Sequence, residues 1–451
     1  MPGVSSLPRS TPEDQGLSAA AIDAFVAAMD ASEQEFQTVI LLRHGHVVLE
    51  AEWAPYRLAD PHTLYSVSKS VTAIAIGLAV DAGLLTIDDK VVSFFGPEDL
   101  PETISDNLAA MSVRHLLTMS TGHSEDTVEK MSQDRGWVRS FLGFEVQHEP
   151  GAPFVYNSGA TYMLSAILQR VSGETLLDYL QSRLFMPLGI TEATWGSSPE
   201  GINFGGWGLS LSTESMAKIG QLALQHGVWE GSQLVPAEWI EAATTKQVSN
   251  DNQTNTDSRL GYGFQYWRGR HNTYRADGAF GQFILGIPDH DAVVIVTSAA
   301  SNMQAELDLI WDHLLPALEG KEVPVVARPE VLEIPAPTGP AAQGGDGQTY
   351  TFGKNPGFLE SVRWDADGSA SLTFGSDTHL FTAGGWRESD AGSERVVTTS
   401  YGDGDALVAT IRWLEGPHSA RFSCRIADGR MTLDGRLNVS FAPTEFTLTS
   451  E

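Results

Sequence analysis

From Ser66 to Ala82 the chain reads SVSKSVTAIAIGLAVDA, and no charged residue stands between Lys69 and Asp81. A helix that is apolar around its whole circumference has no face to offer water, so it belongs in the interior of a folded domain. Gly83 follows at the position where a glycine closes a helix. The apolar run is shorter than the roughly 20 residues needed to cross a bilayer. Other elements must therefore wrap this helix, and its first turn must carry Lys69 into the interior with it.

The rest of the chain supplies that wrapping. Its 451 residues suffice for one large domain and a small one. Residues 17–30 pattern as an amphipathic helix, and 38–53 as two strands joined at Arg43-His44-Gly45-His46. Residues 158–172 form another helix, closed by Gly173. A further helix starts after the capping hydroxyls of Ser212 and Thr213 and runs to about Gln225. Residues 263–299 read as three successive antiparallel strands with turns at Gly269 and Asp289, and 305–318 as a helix packed back on them. The fold class is α+β, without the regular alternation of a doubly wound sheet. Residues 1–320 make the main domain. A segment rich in Pro and Gly, 321–347, reads as a linker. Residues 348–451 read as a small all-β domain, barrel or sandwich, with turns at Asp367-Gly368, Asp403-Gly404, Asp428-Gly429 and Asp434-Gly435.

Charge and cysteine content narrow the functional classes. The net charge is −29, a surface that repels nucleic acid and anionic membranes. Cys424 is the single cysteine, which excludes an intrachain disulfide and a cysteine-based metal site. The first residues, MPGVSSLPRSTPEDQG, lack the basic start and apolar stretch of a secretory signal, and the expectation is a cytoplasmic protein.

Ser66 and Lys69 are three residues apart, which puts both side chains on one helix face. A serine hydroxyl is a weak nucleophile and needs a base beside it. A lysine serves only when neutral, and desolvation together with the positive potential of a helix N-terminus favours that form. The spacing alone is common. Ser215 and Lys218 repeat it, and there the expectation is two exposed or edge residues of an ordinary helix.

Three blocks around these residues agree together: YSVSKSVTAIAIGLAVDAGLLTIDDKV, VRHLLTMSTGH, and PGAPFVYNSGATYMLSAILQRVSGETLLDYLQSRLFMPLGI. Over roughly residues 10–315 they resemble the superfamily of class C β-lactamases, penicillin-binding proteins and carboxylesterases. The resemblance implies an antiparallel sheet flanked by helices, a helical lobe, and an active site between them. It implies Ser66 as nucleophile, Lys69 as its partner, and Tyr156 as the tyrosine that relays the proton. Ser158 stands where the family usually has asparagine and can donate one hydrogen bond to the substrate or to Lys69. The family's third element falls on Ala276-Asp277-Gly278, so alanine replaces the usual cationic residue. Gly278 suits a close backbone approach, and the backbone N–H groups of Ala279 and Ser66 would form an oxyanion hole. Asp277 would bind a cationic or hydroxylated substrate group, or serve a turn. Strand alternation points Arg275 to the face opposite Ala276. His123 is a candidate for the cleft, whereas His115 reads as a packing residue. Trp195, Trp207 and Trp267 read as core, with pocket lining as their other role.

These features predict a serine hydrolase that cleaves a small-molecule ester or amide through an acyl-enzyme on Ser66. No metal or organic cofactor is implied. One alternative is a β-lactamase or D-amino-acid peptidase with Arg275 as substitute anchor. Another is a catalytically silent binding protein whose β domain recognises a partner. The β domain is expected either to pack over the cleft or to drive a homodimer.

Overall fold

The computed structural model describes residues 6–389, 392 and 394–451. Its central sheet has six antiparallel strands: β1 (Phe36–Arg43), β2 (His46–Glu52), β3 (Trp267–Arg268), β4 (Tyr274–Gly278), β5 (Gln282–Ile287) and β6 (Ala292–Ser298). Their order is β2-β1-β6-β5-β4-β3, so the first hairpin completes a sheet whose other strands lie more than 200 residues later. The register pairs Val39 with Val296 and Leu41 with Val294.

Alternation along these strands feeds two cores. Val39, Leu41, Phe283, Leu285, Val294 and Val296 face helix α1 (Ala19–Asp30) and the helical segment at 303–318. Ile40, Leu42, Ile284, Val293 and Ile295 face the other way, toward α2 (Val67–Asp81), α3 (Ser158–Ser172) and α4 (Thr213–Leu224). A sheet covered on both faces needs apolar residues at both phases of its period, which is why its strands read as unbroken apolar runs. From Val67 to Ala79 every residue of α2 is buried. The last helical segment starts with α5 (Met303–Leu309) and continues through a π turn, Ile310–Leu314, to Leu318.

The structure corrects the reading of 263–299. There are four strands rather than three, because Ala279-Phe280-Gly281 turns the chain between β4 and β5. Phe280 (φ 65°) and Gly281 (φ 92°) both adopt left-handed backbone there. A phenylalanine in that conformation runs against residue preference, and no local pattern announced the turn.

Beyond residue 348, ten strands among the described residues form two antiparallel sheets. The first holds β7 (Thr349–Thr351), β8 (Leu359–Trp364), β9 (Ala370–Phe374) and β10 (Asp377–Phe381). The second holds β11 (Arg387–Ser389), β12 (Val396–Asp403), β13 (Ala406–Trp413), β14 (Ser419–Ala427), β15 (Arg430–Leu437) and β16 (Glu445–Thr449). Both sheets share one core around Trp364, Phe381, Ile411 and Phe422. Asp367-Gly368, Asp403-Gly404 and Asp428-Gly429 lie in hairpin turns, but Asp434-Gly435 lies inside β15, paired with Thr447 and Phe446. The glycine is required by packing: a Cβ at Gly435 would collide with the Phe446 ring.

The segment 321–347 has no helix or strand, yet it is tied down on both sides. Ala54 N–H donates to Leu332 O and Ile334 N–H to Ala54 O, while Trp386 Nε1 donates to Ile334 O. Arg412 of the β region forms a bidentate pair with Glu35, at 2.6 and 2.9 Å.

Packing on α2 yields a test. The Trp239 indole donates to Ala73 O at 3.0 Å, and a Cβ at Gly77 would collide with its ring. Gly77→Ala should destabilise the protein by about 1–3 kcal/mol through overpacking, measured as a lower Tm by calorimetry. An unchanged Tm would show that Trp239 does not lie against this helix.

Candidate active site

Helix α2 begins at Val67 with Ser66 as its N-cap residue, and the residue before it, Tyr65, has φ 48°. Holding a tyrosine in left-handed backbone costs on the order of 1–3 kcal/mol and persists only where surrounding packing enforces it. One turn on, Lys69 is 1% exposed. Its Nζ donates to Ser66 Oγ at 2.9 Å, Ser158 Oγ at 3.1 Å and Gly206 O at 2.9 Å. Burial pushes the Lys69 ammonium down to about 7, against the opposing pull of the Asp126 and Asp277 carboxylates.

Tyr156 and Ser158 flank Asn157, which caps α3. The Asn157 amide oxygen accepts from Ala160 N–H at 3.3 Å and from the Thr127 hydroxyl at 2.9 Å. Asp126 accepts Ser158 N–H at 2.9 Å. These bonds fix the start of α3 against residues 126–127, and the Lys69–Ser158 bond ties it to α2, with Lys69 Nζ 4.8 Å from the centre of the Tyr156 ring. Burial pushes the Tyr156 phenol up, so it is neutral, while the Ser66 hydroxyl pulls in the other direction. Trp267 stacks on Tyr156 with ring centroids 5.2 Å apart.

The turn after β4 lies against the segment before Ser66. A Cβ at Gly278 would collide with Leu64 O, and the Phe280 ring meets Tyr65 edge-on at 5.4 Å. Among the described residues, the backbone N–H groups of Ser66 and Ala279 donate to no protein acceptor. Of the candidates read from the sequence, Ser66, Lys69, Tyr156, Ser158, Asp277, Gly278 and Ala279 thus gather in one region.

The strand assigns its faces differently from the motif alignment. Ala276 is 1% exposed and packs in the core on the side of α2, whereas Asp277 and Arg275 border a cavity of about 230 Å³ with Tyr156, Trp267 and Gln304. Asp277 is not free for a substrate cation, because Arg275 Nε donates to its carboxylate at 2.7 Å. Arg275 is 2% exposed and also donates to Asp257 O and Ser258 Oγ, so it offers no free anchor for an anion.

Other candidates settle elsewhere. His123 borders a separate cavity with Thr127, Lys130 and Phe144, bonds the Thr121 hydroxyl at 2.9 Å and packs on Phe141. Burial lowers its pKa to about 4. His115 Nδ1 accepts Ser112 N–H in a capping role. Ser215 and Lys218 are buried, not the exposed or edge residues expected; Ser215 bonds Glu192, and Lys218 Nζ lies 3.5 Å from Gly189 O. Two contributors had no assigned role in the sequence reading, Gly206 and Asp126. The only hint for Gly206 was the glycine-rich run FGGWG, and a Cβ there would press on Ser158 O at 3.0 Å. Among the described residues no cluster of three or more His, Cys, Asp or Glu side chains is placed to hold a metal ion. No described helix is long and apolar enough to cross a membrane.

Two relatives and one solved structure of similar fold set this geometry in context. The chain is 24% identical over 310 residues to 6-aminohexanoate-dimer hydrolase of Paenarthrobacter ureafaciens, covering 62% of this chain and 77% of that one. It is 28% identical over 170 residues to lovastatin esterase of Penicillium rubens, a match covering 32% of this chain and 42% of the esterase. The octameric penicillin-binding protein homologue from Pyrococcus abyssi shares the fold over 95% of this chain and 98% of its own, with TM-score 0.55 and 17% identity. Residues 22–317 match the family model described as Beta-lactamase, and the chain belongs to that family and is a serine hydrolase.

Proposed function

We propose that the protein cleaves a small-molecule ester or amide through an acyl-enzyme on Ser66. The observation that carries this reading is the buried Lys69 amine, 2.9 Å from Ser66 Oγ and held near neutrality at physiological pH. In its neutral form the amine accepts the Ser66 proton, reversing the direction of that hydrogen bond. Ser66 Oγ then forms a bond to the carbonyl carbon, and the carbonyl electron pair moves onto oxygen, toward the N–H groups of Ser66 and Ala279. Collapse of this adduct expels the alcohol or amine, which takes its proton from the Lys69–Tyr156 pair. Water enters by the same route in reverse and releases the acid.

The substrate class follows from charge. Penicillins carry a carboxylate, and the family position for a cation holds Ala276 while Arg275 is bound to Asp277. This favours an ester or amide without that carboxylate over a β-lactam. The names of the relatives, a dimer hydrolase and an esterase, agree with it. The division into a hydrolase domain (1–320), linker (321–347) and β domain (348–451) belongs to the same proposal.

A fluorophosphonate should label Ser66, located by peptide mass spectrometry, and Ser66→Ala should lose the label and about 10³-fold or more of p-nitrophenyl acetate turnover. Nitrocefin should be turned over poorly by the same sample. Comparable nitrocefin turnover would overturn the substrate class, and absence of label and turnover would favour a binding protein.

Because Lys69 acts only when deprotonated, kcat/KM should rise with pH through about 7 and then level off. Lys69→Arg, which stays charged at all these pH values, should lose about 10³-fold. A pH-independent profile from pH 5 to 9 would remove Lys69 as the base.

A further inference from the structure

A third cavity, of about 580 Å³, opens in the β domain, and Tyr65 and Thr63 form part of its wall. This volume is in the range of small-molecule sites. Its apolar surface comes from Phe358, Phe374, Trp413, Leu437 and Val439. Phe358 is 78% exposed, so an aromatic ring stands in solvent at its border. Phe441 is 80% exposed and lies 4.8 Å from Phe280 and 6.0 Å from Tyr65, ring to ring.

Two features join this cavity to the catalytic region. Tyr65 is the chain neighbour of Ser66, and its hydroxyl hydrogen-bonds His418 Nε2 on the cavity wall. Thr63 N–H donates to Glu415 O at 2.8 Å, so the loop that carries His418 is pinned to the strand leading into the nucleophile. Among the described residues the charged lining has one sign: it includes Asp377, Glu394 and Glu415 and no lysine or arginine. Burial lowers the pKa of both His379 and His418, which disfavours the cationic forms that would balance it. Glu394 feels the charges of both other carboxylates.

We propose that this cavity is a substrate subsite of the Ser66 hydrolase, built by the β domain, for an apolar or aromatic group that carries a positive charge. The aromatic wall takes the apolar part and the carboxylates take the ammonium. The inference rests on the hydrolase reading above, because it assigns the cavity to the same substrate.

The probe is 4-phenylbutylammonium, with 4-phenylbutyrate as the matched anion, titrated calorimetrically into full-length Ser66→Ala. The cation should bind at least tenfold more tightly than the anion. Phe374→Ala and the double variant Glu394→Gln, Glu415→Gln should each weaken it tenfold or more, with folding checked by circular dichroism. In the wild-type enzyme the ammonium should compete with ester turnover. Equal affinity for the anion, no binding, or binding that ignores the cavity substitutions would overturn the proposal. So would binding that leaves ester turnover untouched. Wild-type protein that turns over no ester overturns the hydrolase reading and with it the subsite, whereas intact turnover with any of the other failures overturns the subsite alone.

Discussion

A lysine amine buried to 1% exposure in an apolar helix is held in place by three acceptors and by the shape of what surrounds it. Moving a charge out of water is costly, so the same burial that closes the core drives the amine toward its neutral form. The fold thereby converts hydrophobic packing into basicity. Everything else in the site serves that conversion: Gly206 and Ser158 supply acceptors, Tyr156 covers the amine with its ring, and the start of α3 is held in place by the Asn157–Thr127 bond. Asp126 and Asp277 temper the shift, keeping it near neutrality.

The central sheet places the other half of the site. Its two-sided burial holds β4 and β5 rigidly, and the turn between them presses Gly278 against Leu64 O and Phe280 against Tyr65. A helix N-terminus and a tight strand turn, far apart in sequence, thus bring together the backbone N–H groups of Ser66 and Ala279, which donate to no acceptor among the described residues. Backbone donors on packed elements need little reorganisation when charge develops on a substrate oxygen.

The β region is bound to the hydrolase fold by directional contacts as well as by the tied-down linker. Arg412 reaches Glu35, Arg395 reaches Asp60, and His418 reaches Tyr65 beside Ser66. These contacts make its loops neighbours of the segment that leads into Ser66.

Much of the fold was legible because helix and strand periods are local. The buried helix at 67–81, the helix at 158–172 with its closing Gly173, and the first hairpin all follow from spacing within one window of sequence. Ser66 and Lys69 were legible for the same reason, since one helix turn brings them together. The turn at Ala279-Phe280-Gly281 was not, because its left-handed phenylalanine contradicts residue preference and tertiary packing enforces it. Asp434-Gly435 looked like a turn and is a packing glycine under Phe446, a cross-strand effect with no local trace. The sequence by itself determined the apolar helix and the serine–lysine pair on its face, since both are set by hydrophobic period and helical geometry. Only the tertiary structure decided that Asp277 is bound to Arg275, that Gly206 and Asp126 join the site, and that His418 reaches Tyr65. The Gly206, Asp126 and His418 contacts span tens to hundreds of residues, and the Arg275–Asp277 pair, two residues apart on one strand face, depends on the burial that the packed sheet imposes; no short stretch of sequence encodes either.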